Sequence, residues 1–176
     1  MSYLQPTDRL PGESANALAV NTDERSALAA FLQRQRELVV WKVSGLPADV
    51  LQGPASPSGM TALGIVRHLT MVERIWFRDR VAHEAGLTLV RNEQDWDEQF
   101  QVAPGTTVEQ VVADYAAECE AADRAIADIA LDPVAESQPS LRWVYPHMIE
   151  ETARHLGHLD LLREWADGMT GEDPYP

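Results

Sequence analysis

The chain has 176 residues, 45% of them hydrophobic and 24% charged, with a formal net charge of -14 at pH 7. That length and composition suit one domain with an ordinary core. So acidic a chain, with Lys42 its only lysine and no basic cluster, repels phosphate backbones, which argues against nucleic acid as a partner. Cys119 is the only cysteine, so no intrachain disulfide forms, and a reducing compartment fits. Residues 1–11 lack the basic start and apolar run of a signal peptide, and no apolar stretch is long enough to span a membrane. The expected location is the cytoplasm.

In chain order, residues 1–20 hold Pro6, Pro11 and Gly12 and read as an irregular N-terminal arm. Asn21, Thr22, Asp23 and Glu24 resemble a capping box that starts a first helix. Leu28, Phe31, Leu32, Leu38, Val39 and Trp41 give that helix an apolar side to about Val43. Gly45, Pro47, Gly53, Pro54 and Pro57 mark a long loop. A second helix is predicted from about 58–61 to Glu84, with Leu63, Val66, Leu69, Val72 and Trp76 as its stripe and Ile65 and His68 beside it. Residues 87–105, holding Trp96 and Phe100, are the least periodic part and read as an ordered connection.

A third helix is predicted from a capping box at Thr106 and Glu109 to about Ala130. Val108, Val111, Val112, Tyr115, Ala116, Cys119, Ala122, Ile126 and Ile129 form its buried side, and Glu109, Asp114, Glu118, Glu120, Asp123 and Asp128 its solvated one. Residues 134–144 read as a covering loop, with 140–144 extended. Pro146 is then expected at the first position of a fourth helix that Gly168 ends. Four apolar stripes make a four-helix bundle over 21–168, followed by a flexible tail, 169–176. Its two long connections argue against a simple up-down-up-down order.

The chemistry concentrates in the fourth helix. Glu151 and His155 are four apart, and His158 follows three later, so all three share one side. If the second helix packs against them, His68 joins Glu151 and His155 as ligands to one divalent metal, with zinc, nickel and iron(II) all suited to these donors. Two neutral imidazoles and one carboxylate leave such an ion a net positive charge with which to polarise a water, carbonyl or thiol. His158 and His147 lie on the same broad side as neighbours or competitors of the ligands. The same residues also suit a purely structural bundle, with Glu151 paired to Arg154 or Arg142 and the histidines bonded to backbone carbonyls. Trp96 and Trp143, on connections, are candidate pocket walls, whereas Cys119 and Tyr145 read as packing residues.

The stretches Val66-Arg67-His68-Leu69 and Val72-Glu73-Arg74-Ile75-Trp76-Phe77, with MIEETARHLGHLDLLRE over 148–164, resemble the second and terminal helices of the DinB-like superfamily. The similarity covers roughly 20–168 and is strongest to an actinobacterial branch. It implies an all-α, four-helix bundle with up-down-down-up connectivity, often assembled as a homodimer. Many relatives carry one histidine on the second helix and an H-x-x-x-H pair on the last. That pattern falls on His68, Glu151 and His155, with glutamate at the first position of the pair. The mycothiol-dependent maleylpyruvate isomerases resemble this histidine-glutamate-histidine arrangement. The resemblance implies a metal-dependent transferase or isomerase acting on a small-molecule substrate with a low-molecular-weight thiol such as mycothiol. The competing expectation is a non-enzymatic structural or small-ligand-binding bundle.

Overall fold

The computed structural model describes residues 22–53, 59–89, 99–132 and 139–171. The predicted arm (1–20), Trp96 and most of the tail lie outside these residues. The described chain is helical and contains no strand, in agreement with the all-α class. Helix α1 spans Glu24–Val43, α2 Ala48–Gln52, α3 Ala62–Glu73, α4 Val108–Ile126 and α5 Leu141–Asp167. A π-helical segment, Arg74–Val81, continues directly from α3. None of these helices is long and apolar enough to cross a membrane.

Two compact units divide the chain. The first holds α1 and the last helix from Ile149 onward. Asp23 caps α1, its carboxylate accepting from the Ser26 N–H at 3.1 Å and the Ser26 hydroxyl at 2.6 Å, and Asn21 lies outside the described residues. These bonds hold the Asp23 carboxyl below its ordinary range. Leu32, Leu38, Val39 and Val43 of α1, and Leu156 and Leu159 of α5, are buried. Each such side chain contributes about 1.5–3 kcal/mol on burial. The single lysine is buried too. Lys42 pairs with Asp160 at 2.6 Å, while Arg163 donates to the Ser44 carbonyl at 2.6 Å and to that of Lys42 at 3.3 Å. The last two bonds satisfy carbonyls at the end of α1 that the helix itself leaves open.

The second unit is Pro47–Met148. Helix α2 falls inside the predicted long loop; its one buried residue, Leu51, explains why five residues suffice. Thr61 caps α3, accepting from the Gly64 N–H at 2.9 Å. The predicted second helix therefore starts where expected, but its last two turns widen. The Ala82 N–H donates to the Phe77 carbonyl, five residues back, at 2.9 Å. In this register Phe77 is fully buried, and Trp76, predicted for the core, is only half-buried. Helix α4 packs along both α3 and the π-helical segment.

Three predicted features of this unit are corrected. The capping box is one residue later, with Thr107 and Gln110 exchanging both bonds, because the run of two threonines offers the pattern twice. Glu118 is buried rather than solvated: it accepts from Arg74 at 2.9 Å and from Arg78 at 2.8 Å. Residues 140–144 are not extended, and Pro146 does not open the last helix. The Ser140 hydroxyl accepts from the Trp143 N–H at 3.1 Å, and α5 begins at Leu141. Pro146 then removes only one helical hydrogen bond, early in the helix, and its ring is exposed. At the other end Gly168 takes φ 79° and terminates α5 as predicted.

Candidate metal centre

Helix α5 presents Glu151 and His155 one turn apart. His155 Nε2 lies 3.4 Å from Glu151 Oε1. His155 is buried and Glu151 half-buried. The arginines expected as competitors for Glu151 are paired with other carboxylates. Arg154 holds Glu150 at 2.8 Å, and Arg142 holds Asp132 at 2.9 Å, drawing the Asp132 carboxyl below its ordinary range.

On α3, His68 is 2% exposed. Its ring lies face to face with Phe100, centroids 4.3 Å apart and planes 12° from parallel. His68, Glu151 and His155 each offer one ligand atom, and these atoms all lie within 4.8 Å of one another. Among the described residues they form the one group of three or more His, Cys, Asp or Glu that could hold a metal ion.

The donor set fits a divalent ion of borderline softness. Tetrahedral zinc with bonds of about 2.0–2.1 Å places neighbouring ligand atoms roughly 3.3 Å apart. The 3.4 Å between His155 and Glu151 is already that edge. Two imidazoles and one carboxylate are also the protein donors of open, catalytic zinc sites, which leave positions for water or substrate.

The two other histidines of α5 fall outside this group. His158 is exposed, its ring 5.7 Å from that of His155 and inclined at 62°. His147 lies in an aromatic cluster, stacked on Trp143 (4.9 Å, 13°) and edge-on to Trp76 (4.4 Å, 63°). Trp143 is half exposed, so the cluster presents an aromatic surface to solvent. Tyr145 is buried against Phe77, and Cys119 is a buried thiol on α4, outside any disulfide. Both occupy the packing roles expected of them.

Sequence reasoning did not connect Phe100 with His68. The residue sits in the least periodic stretch, where no spacing rule reports which helix a side chain reaches. The glycine at position 64, inside the predicted second helix, was the available signal, because a glycine inside a helix often admits a close backbone approach.

An all-helical chain with a clustered His, Glu and His set defines a class of candidate metalloproteins. The model of the mycothiol-S-transferase family matches residues 27–168, and the chain belongs to that family. The match runs from within the first turn of α1 through α5 and takes in all three clustered residues. No curated protein and no solved structure matches the chain significantly.

Proposed function

We propose that this protein is a divalent-metal-dependent transferase that uses mycothiol as its thiol cosubstrate, with His68, Glu151 and His155 as the metal ligands. The observation that carries the reading is the approach of three ligand atoms to within 4.8 Å of one another in a member of the mycothiol-S-transferase family. A divalent ion held there would supply Lewis acidity that favours a thiolate over a thiol at neutral pH. The rest is the work of the chain. Glu151 supplies the one negative charge of the set, and the two buried histidines supply neutral nitrogen donors. Burial excludes bulk water from the imidazoles, so electrostatic effects at the site are stronger than in solvent. Zinc, nickel and iron(II) all accept this donor set.

The test is conjugation of mycothiol to a soluble electrophile such as monochlorobimane, followed by fluorescence. Thiol-dependent conjugation above the uncatalysed rate is expected, lost on chelation and restored by added ion. Conjugation at the same rate after verified metal removal would overturn the metal dependence. No conjugation by metal-loaded protein across several electrophiles would favour the ligand-binding reading.

The proposal extends to a cytoplasmic homodimer. Leu161 and Trp165, one turn apart on α5, are 60% and 82% exposed, a large apolar display for a lone subunit. Sedimentation at about twice the 19.5 kDa chain mass is expected. A monomer at all concentrations would contradict it.

A further inference from the structure

The segment around Phe100 is fastened to one face of α3 by three successive contacts. Gly64 is the first. A Cβ at this position would lie 2.3 Å from the Phe100 carbonyl oxygen and 3.3 Å from its carbonyl carbon. No side chain larger than hydrogen fits there unless the backbone at Phe100 withdraws. Arg67 is the second, its guanidinium donating to the Gln101 carbonyl. The third is His68, with the Phe100 ring stacked on its imidazole. Residues 64, 67 and 68 stand at helical spacings of three and four, so they line one face. That face receives 99–101 as a unit. Gln99, next in the chain, is 1% exposed, so the segment is packed rather than laid loosely on the helix.

This matters for chemistry because of how a histidine is oriented. The torsion that turns its ring is a broad, roughly two-fold one, and the side chain alone sets the ring plane weakly. Both ring nitrogens lie in that plane. A metal ligand must hold its lone pair on the ion within about 10–20°. A parallel aromatic ring 4.3 Å away removes the freedom of the His68 ring to turn.

We propose that Phe100 is a positioning residue for His68, that it sets the plane of the imidazole for metal binding, and that Gly64 is glycine because the Phe100 backbone must come this close. The proposal rests on the reading of His68 as a metal ligand. It assigns a role in the site to Phe100, which is not itself one of the three clustered residues.

The experiment compares Phe100→Leu, which keeps apolar bulk but no planar ring, with Phe100→Tyr, which keeps the ring. Three quantities are read. Zinc affinity is measured by chelator competition, the visible spectrum of the cobalt(II)-loaded protein reports ligand geometry, and the His68 ring-proton shifts are measured in metal-free protein. Upfield His68 shifts are expected in wild type and Phe100→Tyr and not in Phe100→Leu. Zinc affinity should fall roughly 10–100-fold in Phe100→Leu, the range for residues that orient a ligand, with an altered cobalt spectrum. Phe100→Tyr should retain the wild-type affinity and spectrum. Gly64→Ala should reproduce the Phe100→Leu spectrum if it folds.

Wild-type zinc affinity and cobalt spectrum in Phe100→Leu would overturn the positioning role and leave the metal site standing. Absence of the upfield shift in wild type would overturn it as well, because the rings would not be stacked in solution. A wild-type protein that binds neither zinc nor cobalt would instead sink the proposed metal site, and the positioning role with it. Equal loss of affinity in Phe100→Leu and Phe100→Tyr would show that side-chain fit, not ring plane, matters, and would also overturn the proposal.

Discussion

Glu118 and Glu151 are both helical glutamates drawn away from solvent, but their surroundings differ in kind. Glu118 accepts hydrogen bonds from two guanidinium groups, those of Arg74 and Arg78. Arg78 is shared with Glu84, whose carboxyl is thereby held below its ordinary range. Glu151 stands 3.4 Å from an imidazole, which is a cation only when protonated. Three arginines of its own helix hold other carboxylates, Arg142 on Asp132, Arg154 on Glu150 and Arg163 on Asp167. Burial alone therefore does not mark a functional carboxylate. Glu118 is held by two permanent cations, a structural tie between the π-helical segment and α4, whereas Glu151 stands in a cluster with two imidazoles whose ligand atoms approach one another.

Exchanging the roles of these two groups should fail, and the largest effect is expected at the histidines. His155→Ala and His68→Ala should each lower metal affinity by more than about 100-fold, beyond what loss of an orienting neighbour costs. Far-ultraviolet circular dichroism should stay helical, because the apolar stripes remain. Unchanged affinity in both variants would defeat the ligand assignment even if an ion bound elsewhere. His147, stacked on Trp143 and edge-on to Trp76, marks the limit of the site. His147→Ala should change affinity by less than about 10-fold, and a loss equal to that of His155→Ala would move the site toward the start of α5.

Glu118→Ala should do the opposite. Removing one member of a buried, hydrogen-bonded charge pair costs roughly 3–5 kcal/mol. Arg74 and Arg78 keep some access to water, which places the cost near the lower end. Thermal melting should drop by about 6–12 °C, given roughly 2–4 °C per kcal/mol for a chain of this size. The folded variant should still bind metal like wild type. A loss of metal binding in folded Glu118→Ala would erase the distinction between the two glutamates.

Much of this was legible because helical spacing is a strong rule. Glu151 and His155 four apart had to share a side of any helix that contained them, and His68 lay beside an apolar stripe. The stop of α5 at Gly168 followed from the need for positive φ. What misled was degenerate local chemistry. Thr106 and Thr107 both satisfied the capping pattern, and tertiary packing chose between them. Pro146 is at home in a first helical position but tolerable a turn later, so Ser140, the real cap, was passed over. The π-helical widening left no trace in a hydrophobic pattern only eight residues long, and with it went Phe77 in the core. Glu118 was placed on the solvated side because its neighbours in sequence are acidic, and its arginines come from another element. The contact of Phe100 with His68 joins positions 32 apart through a stretch without periodicity, which no local rule reaches.

The smallest expected effect concerns acid. The Glu84 carboxyl is lowered mainly by its hydrogen bond from Arg78, so the bond stabilises the fold fully above the ordinary value of 4.5. That contribution is lost as pH falls below it and through the lower folded value. Glu84→Gln should therefore unfold at lower urea than wild type at pH 7, and the gap should close by about pH 3. A gap of the same size at both pH values would show that the ion pair contributes nothing specific to the charged form.

The most direct test of the account is the metal content of the protein purified without an affinity tag from metal-replete medium, measured by elemental analysis and by titration of the stripped chain. The expected result is close to one divalent ion per chain in wild type, with uptake releasing protons as ligands deprotonate, and almost none in His155→Ala. A wild-type chain that carries no ion and takes up none on titration would contradict it.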